Sequence, residues 1–171
     1  MRAPLLQRVD TWLRQALPGL LTLLLVLLSV APLRLPDYAA VTPGLVLISV
    51  FYWTVHRPDL FRPWHACILG LLDDVLSGSA LGVNAMVLVL VHWSVVAQHR
   101  FFVGKGFALV WSVFGVVAPL AIALTAMLSL LAARVAPDPA IVLVQALLTI
   151  ALYPPVAWLL GRAQRLFLAG L

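Results

Sequence analysis

Long apolar runs separated by short polar gaps are the feature that most constrains this chain. Several of the runs approach the length of a helix that crosses a hydrocarbon core of ~30 Å. Hydrophobic residues make up 64% of the 171 residues and charged residues only 10%, so a water-soluble fold of this size would have too little polar surface. The sequence therefore predicts an integral membrane protein whose spanning segments are helices.

Six apolar segments predict an all-α, polytopic bundle of six transmembrane helices. Their approximate ranges are 17–33, 38–55, 64–79, 81–98, 106–133 and 140–160. The third is short. The fifth is longer than a bilayer requires, and Pro119 near its middle suggests an interruption by a kink or tilt. Pro154 and Pro155 should break or bend the sixth towards its end.

The residues before the first span form a separate segment. Residues 1–16 carry apolar side chains at helical spacing with Arg and Asp on the remaining surface, which predicts an interfacial amphipathic helix. The expected organisation is thus this helix at 1–16, a transmembrane domain at 17–160 and a cytoplasmic tail at 161–171. Ser29 to Ala31 resembles a signal-peptidase site, but Pro32 and further spans follow, so the first helix is expected to stay uncleaved.

The positions of the basic residues predict the orientation. On an alternating path from a cytoplasmic N-terminus, every Lys and Arg except Arg34 and Arg134 falls on the cytoplasmic side. This is the bias that multi-pass membrane proteins show. Both termini should therefore be cytoplasmic, and the net charge of +5 reflects orientation, not nucleic-acid binding.

Two adjacent carboxylates, Asp73 and Asp74, lie inside the third apolar segment. An ionised side chain in hydrocarbon costs at least ~2.5 kcal/mol, so such a pair persists only where it faces protein or water. A metal site, a proton relay and a catalytic acid–base pair are possible functions. Each is weakly supported, because adjacent carboxylates on a helix converge poorly on one ion and no nucleophile accompanies them. The favoured interpretation is that the pair fixes helix packing and docks a partner.

Residues at a comparable depth predict a polar cluster around this pair. They are Asn84, Gln145, Arg34 and Arg134. We expect one carboxylate to pair with either Arg while the amides complete the hydrogen bonding. Successive helical residues point ~100° apart, so the second carboxylate can face water or a partner instead.

Small residues predict a tight hairpin between the third and fourth spans. Gly70, Gly78 and Gly82 allow close helix approach and a turn. His92 is alone in the fourth span and is expected to be a hydrogen-bonded packing residue. No spacing of His, Cys or acidic residues matches a metal site, and no cofactor is expected.

The segment from Gly70 to Gly78, preceded by Arg57-Pro58 and followed by Leu81-Gly82, resembles the rod shape-determining protein MreD family of bacteria. The resemblance implies a non-enzymatic scaffold subunit of the inner-membrane machinery that builds lateral peptidoglycan. It also implies direct binding to MreC, and links to the MreB filament, to RodA and to a class B penicillin-binding protein. Many members carry a single acidic residue preceded by an amide, so the resemblance does not choose between Asp73 and Asp74.

Two other functions are weighed against the scaffold. The helix layout of that family is similar to the substrate-binding subunits of energy-coupling-factor vitamin transporters, which makes such a subunit the alternative. It would need an external lid and a pocket rich in hydrogen-bonding groups, and the connection at residues 34–37 is too short for a lid. An enzyme acting on lipid phosphates would need Arg, His and Glu near the outer surface, and the sequence contains no Glu.

Overall fold

The computed structural model of the chain describes residues 19–28, 42–102, 104–133 and 138–168. Throughout these ranges the regular secondary structure is α-helical, which confirms the predicted all-α class. The helices are α1 (Gly19–Leu28), α2 (Leu45–His56), α3 (Pro63–Ser77), α4 (Val83–Ala97), α5 (His99–Phe102), α6 (Phe107–Ala133) and α7 (Pro139–Leu168). The amphipathic helix predicted at 1–16 lies outside the described residues, as do Arg34 and Arg134.

Helix length divides the described bundle into two groups. Within these ranges, two helices are long and apolar enough to cross a membrane by length and composition, over Phe107–Ala132 and Pro139–Arg165. In contrast, α2 has 12 residues and α3 and α4 have 15 each, so they extend ~18–23 Å. The short third helix was predicted from the sequence. The second is shorter than predicted, whereas both limits of the fourth lie within two residues of the prediction.

The start of α2 differs from the prediction. The helix begins at Leu45, whereas the apolar run indicated a start near residue 38, and residues 42–44 are not helical. Thr42 precedes Pro43, and a proline disfavours the helical conformation of the residue before it. The N–H of Gly44 donates to Oγ1 of Thr149 on α7 at 3.0 Å. The chain is therefore tied to a neighbouring helix just before α2 starts.

Helix α7 continues through Pro154 and Pro155, so of the predicted break or bend the break is wrong and the bend stays a prediction. Pro154 has no N–H, which leaves the carbonyl of Ile150 without its usual intrahelical donor. The indole Nε1–H of Trp111 on α6 donates to that carbonyl at 3.2 Å. Helix α7 then extends to Leu168, beyond the end predicted at residue 160. Helix α6 likewise runs unbroken through Pro119, and the kink or tilt predicted there stays a prediction.

Helix α2 occupies the centre of the described bundle. Every residue from Val46 to Val55 is buried, as expected of a helix that is apolar on all sides, and α2 packs against α3, α4 and α7. The ring of Phe51 lies 5.0 Å from Phe114, 5.9 Å from Tyr153 and 6.2 Å from Phe102, measured between centroids. This aromatic cluster joins α2 to α5, α6 and α7.

Charge is distributed unequally between the two ends of the bundle. The end at which α2 and α4 finish and α3 and α6 begin is called the basic end. All Lys and Arg residues in the described ranges lie there: Arg57, Arg62, Arg100, Lys105, Arg162 and Arg165. The opposite, acidic end carries Asp73, Asp74 and Asp138, while Asp59 pairs with Arg57 at 3.4 Å. The helix directions thus separate the two signs of charge.

Candidate functional site

The backbones of α3 and α4 approach each other closely at Gly70. A Cβ atom placed on Gly70 would lie 2.6 Å from the backbone nitrogen of Ala85 and 3.0 Å from the carbonyl carbon of Asn84. No ordinary side chain fits at such distances, so only glycine permits this crossing. The tight hairpin predicted from the small residues is present, and α3 and α4 form the most extensive helix pair of the described chain.

Two glycines in left-handed conformations shape the turn between these helices. Gly78 follows the last residue of α3 with φ 69°, and Gly82 precedes α4 with φ 91°. A side chain at either position would meet open space. Backbone conformation, not crowding, therefore requires glycine at both. The turn they make brings the last part of α3 against the first turn of α4.

Asp74 uses this turn to cap α4. Its side chain is fully buried, at 0% exposure. Its Oδ1 accepts from Oγ of Ser79 at 2.7 Å and from the N–H of Asn84 at 3.1 Å. Its Oδ2 accepts from the N–H of Gly82 at 2.8 Å and, more weakly, from that of Ala85 at 3.5 Å. The carboxylate thus supplies from α3 the N-terminal cap that Gly82 cannot provide, and the helix dipole adds to its stabilisation.

Asp73 lies in a different environment from its neighbour. Its Oδ2 accepts from Nδ2 of Asn84 at 3.1 Å. Its other carboxylate oxygen has no hydrogen-bond partner among the described residues, and the side chain is partly exposed. The two carboxylates diverge as helical geometry predicts. Both oxygens of Asp74 accept hydrogen bonds within the fold, whereas Asp73 retains one oxygen with no donor among the described residues.

Asp73 lines a cleft of about 740 Å³ at the acidic end. The bond between Gly44 and Thr149 places the start of α2 well below the start of α7, so α7 extends ~15 Å beyond α2. The short α2 therefore forms the floor, and α3, α4, α6 and α7 form the walls. The polar side chains lining the cleft include those of Asp73, Ser77, Ser79, Asn84, Thr125, Ser129 and Gln145. A few polar groups among apolar walls are typical of a binding site.

The polar cluster predicted from the sequence is only partly visible. Asp73, Asp74 and Asn84 are joined by hydrogen bonds. Gln145 lines the same cleft, but its side chain makes no hydrogen bond to either carboxylate. The predicted ion pair with Arg34 or Arg134 stays a prediction, because both lie outside the described residues.

Several contributors to the site were missed by sequence reasoning. The hydroxyl of Ser79 donates to Asp74, and those of Thr125 and Ser129 line the cleft from α6. One signal was available for the cap: α4 starts at Val83 after Gly82, so no side chain at the capping position accepts from the free N–H groups. No comparable signal exists for the hydroxyls of α6, since their position depends on how helices pack.

His92 is a packing residue, as predicted. It is buried, and its Nδ1 lies 3.0 Å from Oγ1 of Thr54 on α2. Within the described ranges no group of three or more His, Cys or Asp side chains is placed to hold a metal ion.

The apolar bundle, its two long helices and its buried, fully bonded carboxylate define a helical membrane protein with a polar cleft at one end. The family model of rod shape-determining protein MreD matches residues 11–163, which is most of the chain. The chain therefore belongs to this family of rod-shape-determining membrane proteins. Comparisons with curated proteins and with solved structures gave no match, and nothing in them supports the vitamin-transporter alternative.

Proposed function

We propose that the protein is a non-enzymatic scaffold subunit of the inner-membrane complex that directs cell elongation. In this role it binds MreC directly and is linked through the complex to MreB, RodA and a class B penicillin-binding protein. Membership of the family supports the general role. The specific partners are part of the proposal.

The different environments of the two carboxylates carry this proposal. Asp74 has four hydrogen-bond donors around it, whereas Asp73 has only the amide of Asn84 within the described chain. In lipid, apolar helix faces are already solvated, so polar contacts must discriminate between partners. Asp73 at the edge of the cleft is therefore the contact that a donor group on MreC would use.

The proposed topology has six spans with both termini in the cytoplasm. Its support is the charge separation, because every described Lys and Arg lies at the basic end and basic residues favour the cytoplasmic side. The cleft and Asp73 then face outward. The short α2 suits this arrangement, since the polar groups above it open towards the outer surface.

Co-purification after mild solubilisation tests the contact at Asp73. We expect Asp73→Asn to weaken recovery of MreC about tenfold, because a hydrogen bond to a charged group contributes ~1.5–3 kcal/mol and 1.4 kcal/mol is a factor of ten. Asp138→Asn is the matched control, since it makes the same charge change at the same end on an exposed residue. Equal recovery of MreC with both variants would show that Asp73 is not the contact.

A further inference from the structure

A second cavity, of about 550 Å³, lies at the basic end of the bundle. It is formed by the end of α2, the start of α6 and the last turns of α7. Its lining includes the side chains of Tyr52, Phe107, Trp158, Gln164 and Arg165. This cavity lies at the opposite end of the helices from Asp73, and neither the fold nor the scaffold role explains it.

Gly161 leaves room for polar groups to converge inside this cavity. A Cβ atom placed on Gly161 would lie 3.1 Å from Oη of Tyr52 and 3.9 Å from Nη1 of Arg165. The hydroxyl and the guanidinium thus both lie close to a position that carries no side chain. Alanine at this position would narrow the space between them.

The polar groups of the cavity present unused donors. The hydroxyl of Tyr52 donates to Oε1 of Gln164 at 3.1 Å, which leaves the NH₂ group of Gln164 with no hydrogen bond to the described chain. The guanidinium of Arg165 has no carboxylate within ion-pair distance in those same ranges. Arg162 adds a second positive charge nearby, with its guanidinium 5.5 Å from the ring centroid of Trp158. Such a set of donors and charges is complementary to an anion.

The position of the cavity along α7 matches a membrane interface. Gly161 lies ~33 Å along the helix from Pro139, which is about one hydrocarbon thickness. Phe107 and Trp158 are more than half exposed at its rim, and aromatic residues are enriched at this depth. An anion that binds here therefore sits beside apolar surface that acyl chains can cover.

We infer that this cavity binds the phosphodiester headgroup of an anionic phospholipid. Arg165 and the amide of Gln164 contact the phosphate oxygens, and the acyl chains run along Phe107 and Trp158. Basic pockets between membrane helices favour such headgroups over zwitterionic ones. The inference does not depend on the proposed topology, which specifies only that this lipid belongs to the cytoplasmic leaflet.

Native mass spectrometry of the full chain in detergent tests this site. The probes are phosphatidylglycerol and phosphatidylcholine, titrated separately. We expect phosphatidylglycerol to bind at least tenfold more tightly, and Arg165→Gln to weaken it about tenfold. Arg100→Gln is the matched control, because Arg100 is an exposed basic residue at the same end that does not line the cavity. It should change binding less than twofold.

Three results would overturn the inference. Equal binding of the two lipids would remove the preference for an anionic headgroup. Equal losses in Arg165→Gln and Arg100→Gln would show attraction to net charge only. Displacement of phosphatidylglycerol by millimolar inorganic phosphate would assign the site to free phosphate. If Arg165→Gln does not fold, Gly161→Ala is the second test of the site. Unchanged phosphatidylglycerol binding in folded Gly161→Ala would contradict a headgroup beside Gly161.

Discussion

Adjacent Asp73 and Asp74 perform different tasks although their side chains are identical. Asp74 is buried and accepts four hydrogen bonds at the start of α4, so its charge stabilises the fold. Asp73 accepts one hydrogen bond, from the amide of Asn84, and its other carboxylate oxygen has no donor among the described residues. Substitution of Asp74 should therefore lower the stability of the protein, whereas substitution of Asp73 should lower its binding to the proposed partner.

Asp74→Asn should destabilise the protein itself. The change removes the charge that faces the N-terminus of α4 and places an NH₂ group against backbone N–H donors. Unsatisfied buried donors cost about 1–3 kcal/mol each, so the free energy of unfolding should fall by at least that amount. Thermal unfolding in detergent, followed by circular dichroism, measures the effect. Asp138→Asn is the control, because the side chain of Asp138 is exposed and its Oδ1 accepts from the N–H of Ala140 at 2.9 Å, a bond that the side-chain oxygen of Asn also accepts. Its midpoint should therefore change little, and a fall for Asp74→Asn no larger than that for Asp138→Asn would refute the capping role of Asp74.

At the scale of elements, the α3–α4 hairpin depends on contact between backbones. The approach of Gly70 to Ala85 sets the separation of the two helices, and this separation allows Asp74 to reach the first turn of α4. Other helix pairs are joined differently. Trp111 on α6 donates to a carbonyl of α7, and Thr22 on α1 bonds with Ser49 on α2 at 2.7 Å.

Gly70→Ala should force α3 and α4 apart. Overpacking of this kind costs about 1–3 kcal/mol, and it should also weaken the cap at Asp74. Gly115→Ala on α6 is the control, because a Cβ there meets nothing within 4 Å and alanine favours the helix by ~1 kcal/mol. Thermal unfolding should therefore show a lower midpoint for the first variant and an equal or higher one for the second. A midpoint for Gly70→Ala at or above the wild-type value would exclude the close crossing.

At the scale of the whole molecule, charge separation along the helices supports the proposed orientation. Described basic residues gather at one end, and three of the four described Asp residues at the other. The same polarity separates two sites, a cleft beside Asp73 and a cavity beside Arg165. In the proposed topology, the proposed partner contact and the proposed lipid site therefore lie on opposite faces of the membrane.

Reporter fusions test this orientation. A fluorescent protein that matures only in the cytoplasm should be bright when fused after Asp59 or at the C-terminus, since Asp59 and the described end of α7 lie at the basic end. Alkaline phosphatase, which is active only outside, should be active when fused at Asp138. Phosphatase activity at Asp59 or at the C-terminus would remove the six-span topology.

Sequence and structure agree best where one local signal decides the outcome. The predicted limits of the third and fifth spans lie within two residues of α3 and α6, because apolar runs there end at Pro, Gly or charged residues. The predicted start of α2 and the predicted break in α7 are wrong for non-local reasons. Gly44 bonds to Thr149 on α7, and Trp111 on α6 satisfies the carbonyl that Pro154 leaves open.

The sequence by itself determined the helical class, the membrane environment, the family and the hairpin around Asp73 and Asp74, because composition, run length and small residues are local properties. Only the tertiary structure decided which carboxylate caps α4, that the short α2 forms the floor of a cleft, and that Arg165 and Tyr52 line the same cavity. Each of these depends on the distance between groups on different helices. Such distances are set by packing, which a linear pattern of residues does not specify.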